Sequence, residues 1–211
     1  MRNPGMERVS LTNKRHDFDA LSTNTSIQVR PARNSEIAVI ADMATRMVPG
    51  VEIGEQALRR HFDFDPECIL TFSWQEKLLG GMAFLYLNTR GHDALILGEI
   101  SPSSPDFELF ARSDEQVSAT YIWAIGTTGR GIAGLGKAAA HLRKPRYLNA
   151  DCFAQPSTKA GRDLLIATGF IQMPSFQPDL WCYQRPWKRL PISESEPASN
   201  LSVRSFEDAR Y

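Results

Sequence analysis

The chain has 211 residues, with 24 Lys and Arg against 24 Asp and Glu, a formal net charge of +0 and 42% hydrophobic residues. That length fits one domain with tails, and that apolar share supplies one core. The balanced charge disfavours a dedicated nucleic-acid binder, which needs a basic surface, and no apolar run approaches the ~18 residues of a membrane span.

Residues 1–25 are polar and without sustained period, and read as a flexible N-terminal arm. They hold no apolar core of a secretory signal. Residues 188–211 are rich in Ser and read as a flexible C-terminal tail, which leaves a folded domain over 26–187. Within it, 26–30 alternate as a strand ending at Pro31. Asn34 and Ser35 are cap candidates for a helix carrying Ile37, Ile40, Ala44 and Met47, which Pro49 and Gly50 stop. Residues 55–62 predict a second helix. Residues 69–74 and 78–87 predict a hairpin around Gln75, Glu76 and Lys77. Residues 88–117 are too long for a tight turn and hold apolar anchors such as Leu95, Leu97, Phe107 and Phe110, so they read as an ordered insertion. Residues 119–125 predict a strand, 126–136 a glycine-rich loop, and a helix follows through Leu142. Residues 146–153 predict another strand. Pro156 and Ser157 open a helix that Gly169 ends, and 170–173 and 180–185 predict the last strands. The fold class is α/β of the α+β type, a mixed, mostly antiparallel central sheet flanked by helices, in the order β-α-α-β-β-β-α-β-α-β-β.

Cys68, Cys152 and Cys182 lie far apart with no CxxC or His cluster, so a structural metal site is not expected and the simple reading is free thiols in a cytoplasmic protein. His16, His61, His92 and His141 are scattered, and His92 draws notice because it lies in the insertion.

The most informative segment is the strand, glycine run and helix start from Tyr121 to Lys137. Glycine lets a ligand approach the backbone, and the free N–H groups of a first helical turn favour an anion, with pyrophosphate the natural guest. Lys137 is followed by Ala138, so the segment is no Walker A loop. Gly129, Gly131 and Gly134 match a dinucleotide G-x-G-x-x-G, with Asp151 near the distance of the ribose acid. That alternative stays open here, although two helices and a hairpin precede the loop.

Three motifs in order give the chain a family resemblance. Gly131-Ile132-Ala133-Gly134-Leu135-Gly136 resembles the Arg/Gln-x-x-Gly-x-Gly/Ala phosphate loop of the GNAT (Gcn5-related N-acetyltransferase) superfamily, with Gly131 at the Arg/Gln place and Arg130 one residue early. Leu79-Gly80-Gly81 resembles the family's hairpin glycine step, and Leu165 to Phe170 its Tyr-x-x-x-Gly-Phe ending, with Leu165 at the tyrosine. The resemblance covers about residues 27–185. It implies an acyl-CoA N-acyltransferase that uses acetyl-CoA or another acyl-CoA as co-substrate. Ala124, Ile125 and Gly126 would pair with the pantetheine arm, and Arg130, Gly131, Ile132, Ala133, Gly134, Leu135, Gly136 and Lys137 would hold the pyrophosphate. Leu165 cannot donate a proton. Ser157, Glu99 and Asp151 are the catalytic candidates, with Ser157 also read as a plain helix cap. Glu99, Asp106 and Glu108 make the insertion acidic, which suits a cationic amine acceptor, either a small molecule or a peptide or protein amine; a sheet extension or homodimer contact is its other reading. Rival functions are an inactive CoA-binding module and a CoA-free interaction or regulatory protein. Acylation of aminoacyl-tRNA is a further enzymatic reading that the neutral charge disfavours.

Overall fold

The computed structural model describes residues 26–50 and 53–184. The arm, the tail and Arg185, the end of the last predicted strand, lie outside the described residues. A seven-stranded sheet runs β1 (Gln28–Pro31), β2 (Ile69–Trp74), β3 (Lys77–Leu87), β4 (Ala119–Thr127), β5 (Asp151–Ala154), β6 (Ile171–Gln172) and β7 (Trp181–Tyr183) in chain order. Its spatial order is β1-β2-β3-β4-β5-β7-β6. Every neighbouring pair is antiparallel except β4 with β5. One parallel pair at the centre of an antiparallel sheet removes the doubly wound dinucleotide alternative, and with it the ribose role for Asp151.

The helices are α1 (Ile37–Met47), α2 (Glu55–Phe64), α3 (Thr89–Leu97), α4 (Gly134–His141) and α5 (Lys159–Ala167). Register assigns them to faces, because cross-strand partners share a face. Leu85, Tyr121, Phe153 and Cys182 form one cross-strand row. The His92 ring of α3 lies 5.4 Å from Phe153, and the His61 ring of α2 lies 6.2 Å from Trp123. The neighbouring row, Tyr86, Thr120, Cys152 and Tyr183, faces the other way. There Tyr86 stacks on Tyr147 at 4.5 Å, Tyr147 stacks on His141 at the end of α4, and Tyr183 meets Phe170 just after α5. So α1, α2 and α3 cover one face, and α4 and α5 the other.

Local signals explain most boundaries. Ile37, Ile40 and Ala41 are the buried face of α1, and Gly50 has φ +79 just past its end. Gln75 and Glu76 take φ 48 and 63 in the tight β2–β3 turn. Three expectations need correction. Asn34 and Ser35 do not cap: Glu36 accepts from the Arg33 N–H at 2.8 Å instead. The last helix is capped by Thr158, whose hydroxyl accepts from the Gly161 N–H at 3.0 Å, and not by Ser157, which is exposed. The strand expected over 146–153 begins only at Asp151. Its first part is a turn, held because Arg146 donates to Asp65 at 2.7 Å and to the Arg112 carbonyl at 3.0 Å.

The insertion is ordered and contains α3. Asn88 caps it through Gly91 N–H at 2.9 Å, and Gly98 ends it at φ +78. A Cβ on Gly91 would overlap the Leu109 carbonyl. The segment crosses the α1/α2 face and is tied at both sides: Phe176 N–H donates to the Ile96 carbonyl at 2.9 Å, and His61 Nε2 donates to the Pro102 carbonyl at 2.7 Å.

Candidate functional site

β4 and β5 pair from Ala119 with Asp151 to Ile122 with Ala154, and there the pairing stops. β4 continues to Thr127, and residues 124–127 pair with β3 alone. A bulge at Trp123, opposite the step from Ala83 to Phe84, turns the strand at this point. Two parallel strands thus diverge at their carboxyl ends, and one edge of β4 keeps its backbone groups for another chain-like partner.

The divergence opens onto the glycine run. Residues Gly129–Ala133 form a 3-10 turn, and α4 starts at Gly134 with Ala133 as its cap and no side chain bonded to the first-turn N–H groups. The turn runs into the helix, so the Gly134 N–H already donates to the Gly131 and Ile132 carbonyls and the Gly131 N–H to the Thr128 carbonyl at 3.0 Å, and the N–H groups that face an anion are the first of the turn, at Gly129 and Arg130. The glycines differ in why they are bare. A Cβ on Gly131 would overlap the Thr127 hydroxyl, and one on Gly134 would come within 2.7 Å of the Phe72 ring. A Cβ on Gly136 would meet nothing within 4 Å, and Gly136 is exposed. Gly134 thus has a packing reason to be bare, since the space of its Cβ belongs to Phe72 and a side chain there is not tolerated without movement. The two basic side chains are engaged elsewhere. Arg130 stacks over Trp74 at 5.2 Å, and Lys137 donates to the Ile27 carbonyl at 2.5 Å. Of the two, Arg130 stands at the start of the turn and offers an anion its backbone N–H, whereas the Lys137 N–H falls within the bonding of α4 itself. Ile132 is exposed beside them.

The three catalytic candidates do not converge. Asp151 opens β5, three residues and about 10 Å from the divergence at Ala154. Ser157 follows β5 on an exposed loop, and Glu99 is exposed after α3. Leu165 is buried in the core, so the tyrosine place of the motif is a packing position here. Two groups stand at the divergence: Tyr121, to which sequence reading gives no role, and His92, which it notes for its place in the insertion. Tyr121 and Phe153 are partners one step before the last β4–β5 pair. The Tyr121 hydroxyl donates to Gln155 Oε1 at 3.3 Å, Gln177 donates to the same oxygen at 2.8 Å, and burial pushes the phenol up to about 12. His92, half-exposed, lies over Phe153. The alternation of β4 was the signal for Tyr121, but only its register with β5 gives it meaning.

A separate polar cluster sits where α4 ends. Glu67 accepts from Lys144 at 2.6 Å and Tyr147 at 2.7 Å. Burial opposes the Glu67 charge, but these bonds outweigh it and hold the carboxyl below its ordinary range. Cys68, Cys152 and Cys182 are buried, and burial raises the Cys68 thiol far above its usual value, which makes it inert. Among the described residues no group of three His, Cys, Asp or Glu is arranged to hold a metal ion, and no helix is long and apolar enough to cross a membrane.

No family model and no curated protein sequence matches the chain. Solved structures do match its fold. The loading GNATL domain of CurA from Lyngbya majuscula superposes with a TM-score of 0.58 at 11% identity, over 76% of this chain and 98% of that one. A GNAT-family acetyltransferase from Listeria monocytogenes superposes with a TM-score of 0.50 at 12% identity, over 76% and 95%. The chain has the GNAT fold.

Proposed function

We propose that this GNAT-fold chain is an acyl-CoA-dependent N-acyltransferase. The observation that carries the reading is the edge of β4 over residues 124–127, which pairs with no strand but β3 and runs from the β4–β5 divergence into the glycine run before α4. The pantetheine arm is an amide chain that pairs with Ala124, Ile125 and Gly126 as an added strand would. The pyrophosphate then meets the glycine run, from the first N–H groups of the turn at Gly129 and Arg130 to the open face at Gly136. Gly136 leaves an open approach.

The thioester end lies at the divergence, beside Tyr121. The amine nitrogen attacks the thioester carbonyl, an amide bond forms, the C–S bond breaks and the thiolate leaves. The nitrogen gives up one proton and the sulfur takes one. Tyr121 is the proposed donor to sulfur, and His92, on the same face, the proposed acceptor from the amine. Glu99, Asp151 and Ser157 stay as weaker candidates, because the fold brings none of the three to the same place. The acceptor is an amine that reaches the α1/α2/α3 face. A cytoplasmic setting, in keeping with three cysteines far apart in the sequence, is part of the proposal.

Titration with coenzyme A, followed by a free-thiol release assay with acetyl-CoA over a panel of small amines and peptides, tests the reading. Binding with amine-dependent thiol release supports it. Absence of CoA binding overturns it. Binding without release over the panel favours the second reading, a CoA-binding regulatory module, for which buried Leu165 at the tyrosine place is the specific observation.

A further inference from the structure

Gln155 is the first residue past the point where β5 leaves β4. It follows Phe153 by two residues, so it stands on the same side of the sheet as Phe153, its partner Tyr121 and the His92 ring. Its amide makes three bonds, and each fixes the next. Nε2 donates to the Pro178 carbonyl at 2.8 Å, and a carbonyl only accepts, so the nitrogen must face that way. Oε1 is thereby turned inward, where it accepts from Gln177 Nε2 at 2.8 Å and from the Tyr121 hydroxyl at 3.3 Å. Against an amide oxygen the phenol can only donate. The direction of the Tyr121 O–H is therefore set by the turn 174–178, between β6 and β7, and not by the strand on which Tyr121 stands.

The same turn reaches the helix that carries His92. Phe176 N–H donates to the carbonyl of Ile96, one helical turn after His92 on α3. A Cβ on Gly98, just past that helix, would stand 3.3 Å from the Phe176 carbonyl oxygen. The turn is also braced within itself: Ser175 Oγ donates to the Gln177 carbonyl at 2.8 Å, and Asp179 accepts from Trp181 Nε1 at 2.9 Å and from Arg162 at 2.7 Å. Yet its one large apolar side chain, Phe176, is 79% exposed, so the turn adds little to the core and burial does not explain its order. We infer that Gln155 is the positioning residue of the site: through it the turn 174–178 aims the Tyr121 hydroxyl and holds it in register with the helix of His92. This rests on the acyltransferase reading above and names what sets its proton donor. At rest the Gln155 oxygen keeps the proton on the phenol, because it offers a phenolate no donor. A 3.3 Å O–H bond is long, so the O–H turns from Gln155 to the leaving sulfur at low cost. The sulfur gains that proton, and the phenolate takes one from water as the product departs.

The test takes two readouts on the full chain. One is the Cζ resonance of Tyr121, followed by carbon NMR of the ligand-free, tyrosine-labelled protein and identified by its loss in Tyr121→Phe. The other is thiol release from acetyl-CoA with the panel of small amines and peptides. Gln155→Met keeps the side-chain length and removes the amide. It should move the Tyr121 resonance and lower kcat about tenfold or more, a part of what a lost acid–base group costs, with KM for acetyl-CoA unchanged. Gln177→Leu removes the second donor to the Gln155 oxygen without touching Tyr121. It should move the resonance in the same direction and lower kcat by less, which keeps the test available if Gln155→Met fails to fold. A resonance that neither variant moves overturns the inference, whatever the turnover. A moved resonance with full kcat overturns it too, since the amide then orders the turn and nothing more. Failure of thiol release in the unsubstituted chain removes the acyltransferase reading, and the role of Gln155 with it; the resonance is read without substrate, so the two failures are told apart.

Discussion

Gly134 lies under the ring of Phe72: a Cβ built on the glycine would stand 2.7 Å from the ring's Cγ and 2.9 Å from Cδ1. The first turn of α4 therefore approaches β2 as closely as backbone against an aromatic ring allows. Gly134→Ala should destabilise the protein by about 1–3 kcal/mol through overpacking. Phe72→Leu should restore part of that loss when combined with it, although Phe72→Leu alone also destabilises. A double-mutant cycle on thermal melts checks this, and additive losses would break the contact as the explanation.

Gly136, two residues on, has open space where a side chain would go. Gly136→Glu places a negative charge at the proposed pyrophosphate site without touching the core. CoA affinity should fall by well over tenfold, which corresponds to more than about 1.4 kcal/mol, while the ligand-free melting temperature stays in place. Unchanged affinity would remove the start of α4 as the anion site.

At the divergence of β4 and β5, Tyr121→Phe keeps the ring and removes the hydroxyl that donates to Gln155. Turnover should fall by about 100-fold or more, the range of a lost acid–base group, with CoA affinity unchanged. His92→Asn should lower turnover most at pH values below the amine's own pKa, where a base is needed. Full activity in both variants returns the proton transfers to solvent or to Ser157, Glu99 and Asp151.

The helix caps separate a structural serine from a functional one. Thr158→Ala should cost about 0.5–2 kcal/mol, because it leaves the Gly161 N–H without its side-chain partner. Ser157→Ala should leave the melting temperature in place. Slower turnover in Ser157→Ala would give that exposed hydroxyl a part in the chemistry.

His61 and His141 are both held below the ordinary imidazole value. Burial is the largest cause for each. At His61 the Pro102 carbonyl pulls the other way and Arg60 adds to the lowering; at His141 Lys144 lowers and Glu67 raises. In the unfolded chain an imidazole titrates near 6.5. The unfolded state therefore takes up these protons first as pH falls, so stability is complete above about pH 6.5 and declines through the range below it. Glu67, also lowered, adds a second decline at more acid pH as it is protonated. Melting temperature should drop from pH 7 to pH 5, and His61→Gln, which can still donate to Pro102, should flatten that slope. Parallel slopes for the two proteins would show that His61 does not contribute.

Much of this architecture is written in local signals. Period and punctuation define α1 between Ile37 and Met47, the Gln75–Glu76 turn and the end of α5 at Gly169, because a helix period, a tight turn and a left-handed glycine each depend on residues a few positions apart. The element order and the glycine loop follow from the same kind of reading. Helix α3 was within reach too, bracketed by Asn88 and Gly98, but Gly91 inside it masks the pattern. Tertiary structure alone decided the rest. Residues 146–150 look like a strand by composition, yet bonds from Arg146 to Asp65 and Arg112, far away in the chain, bend them into a turn. Gly134 reads as a phosphate glycine until Phe72 is seen against it. Tyr121 is an ordinary inward strand residue until register puts it one step from the place where β4 and β5 part. Register, close approach and strand divergence join residues about 30 to 80 positions apart, and the free energy that fixes them belongs to the packed sheet and not to any stretch of the chain.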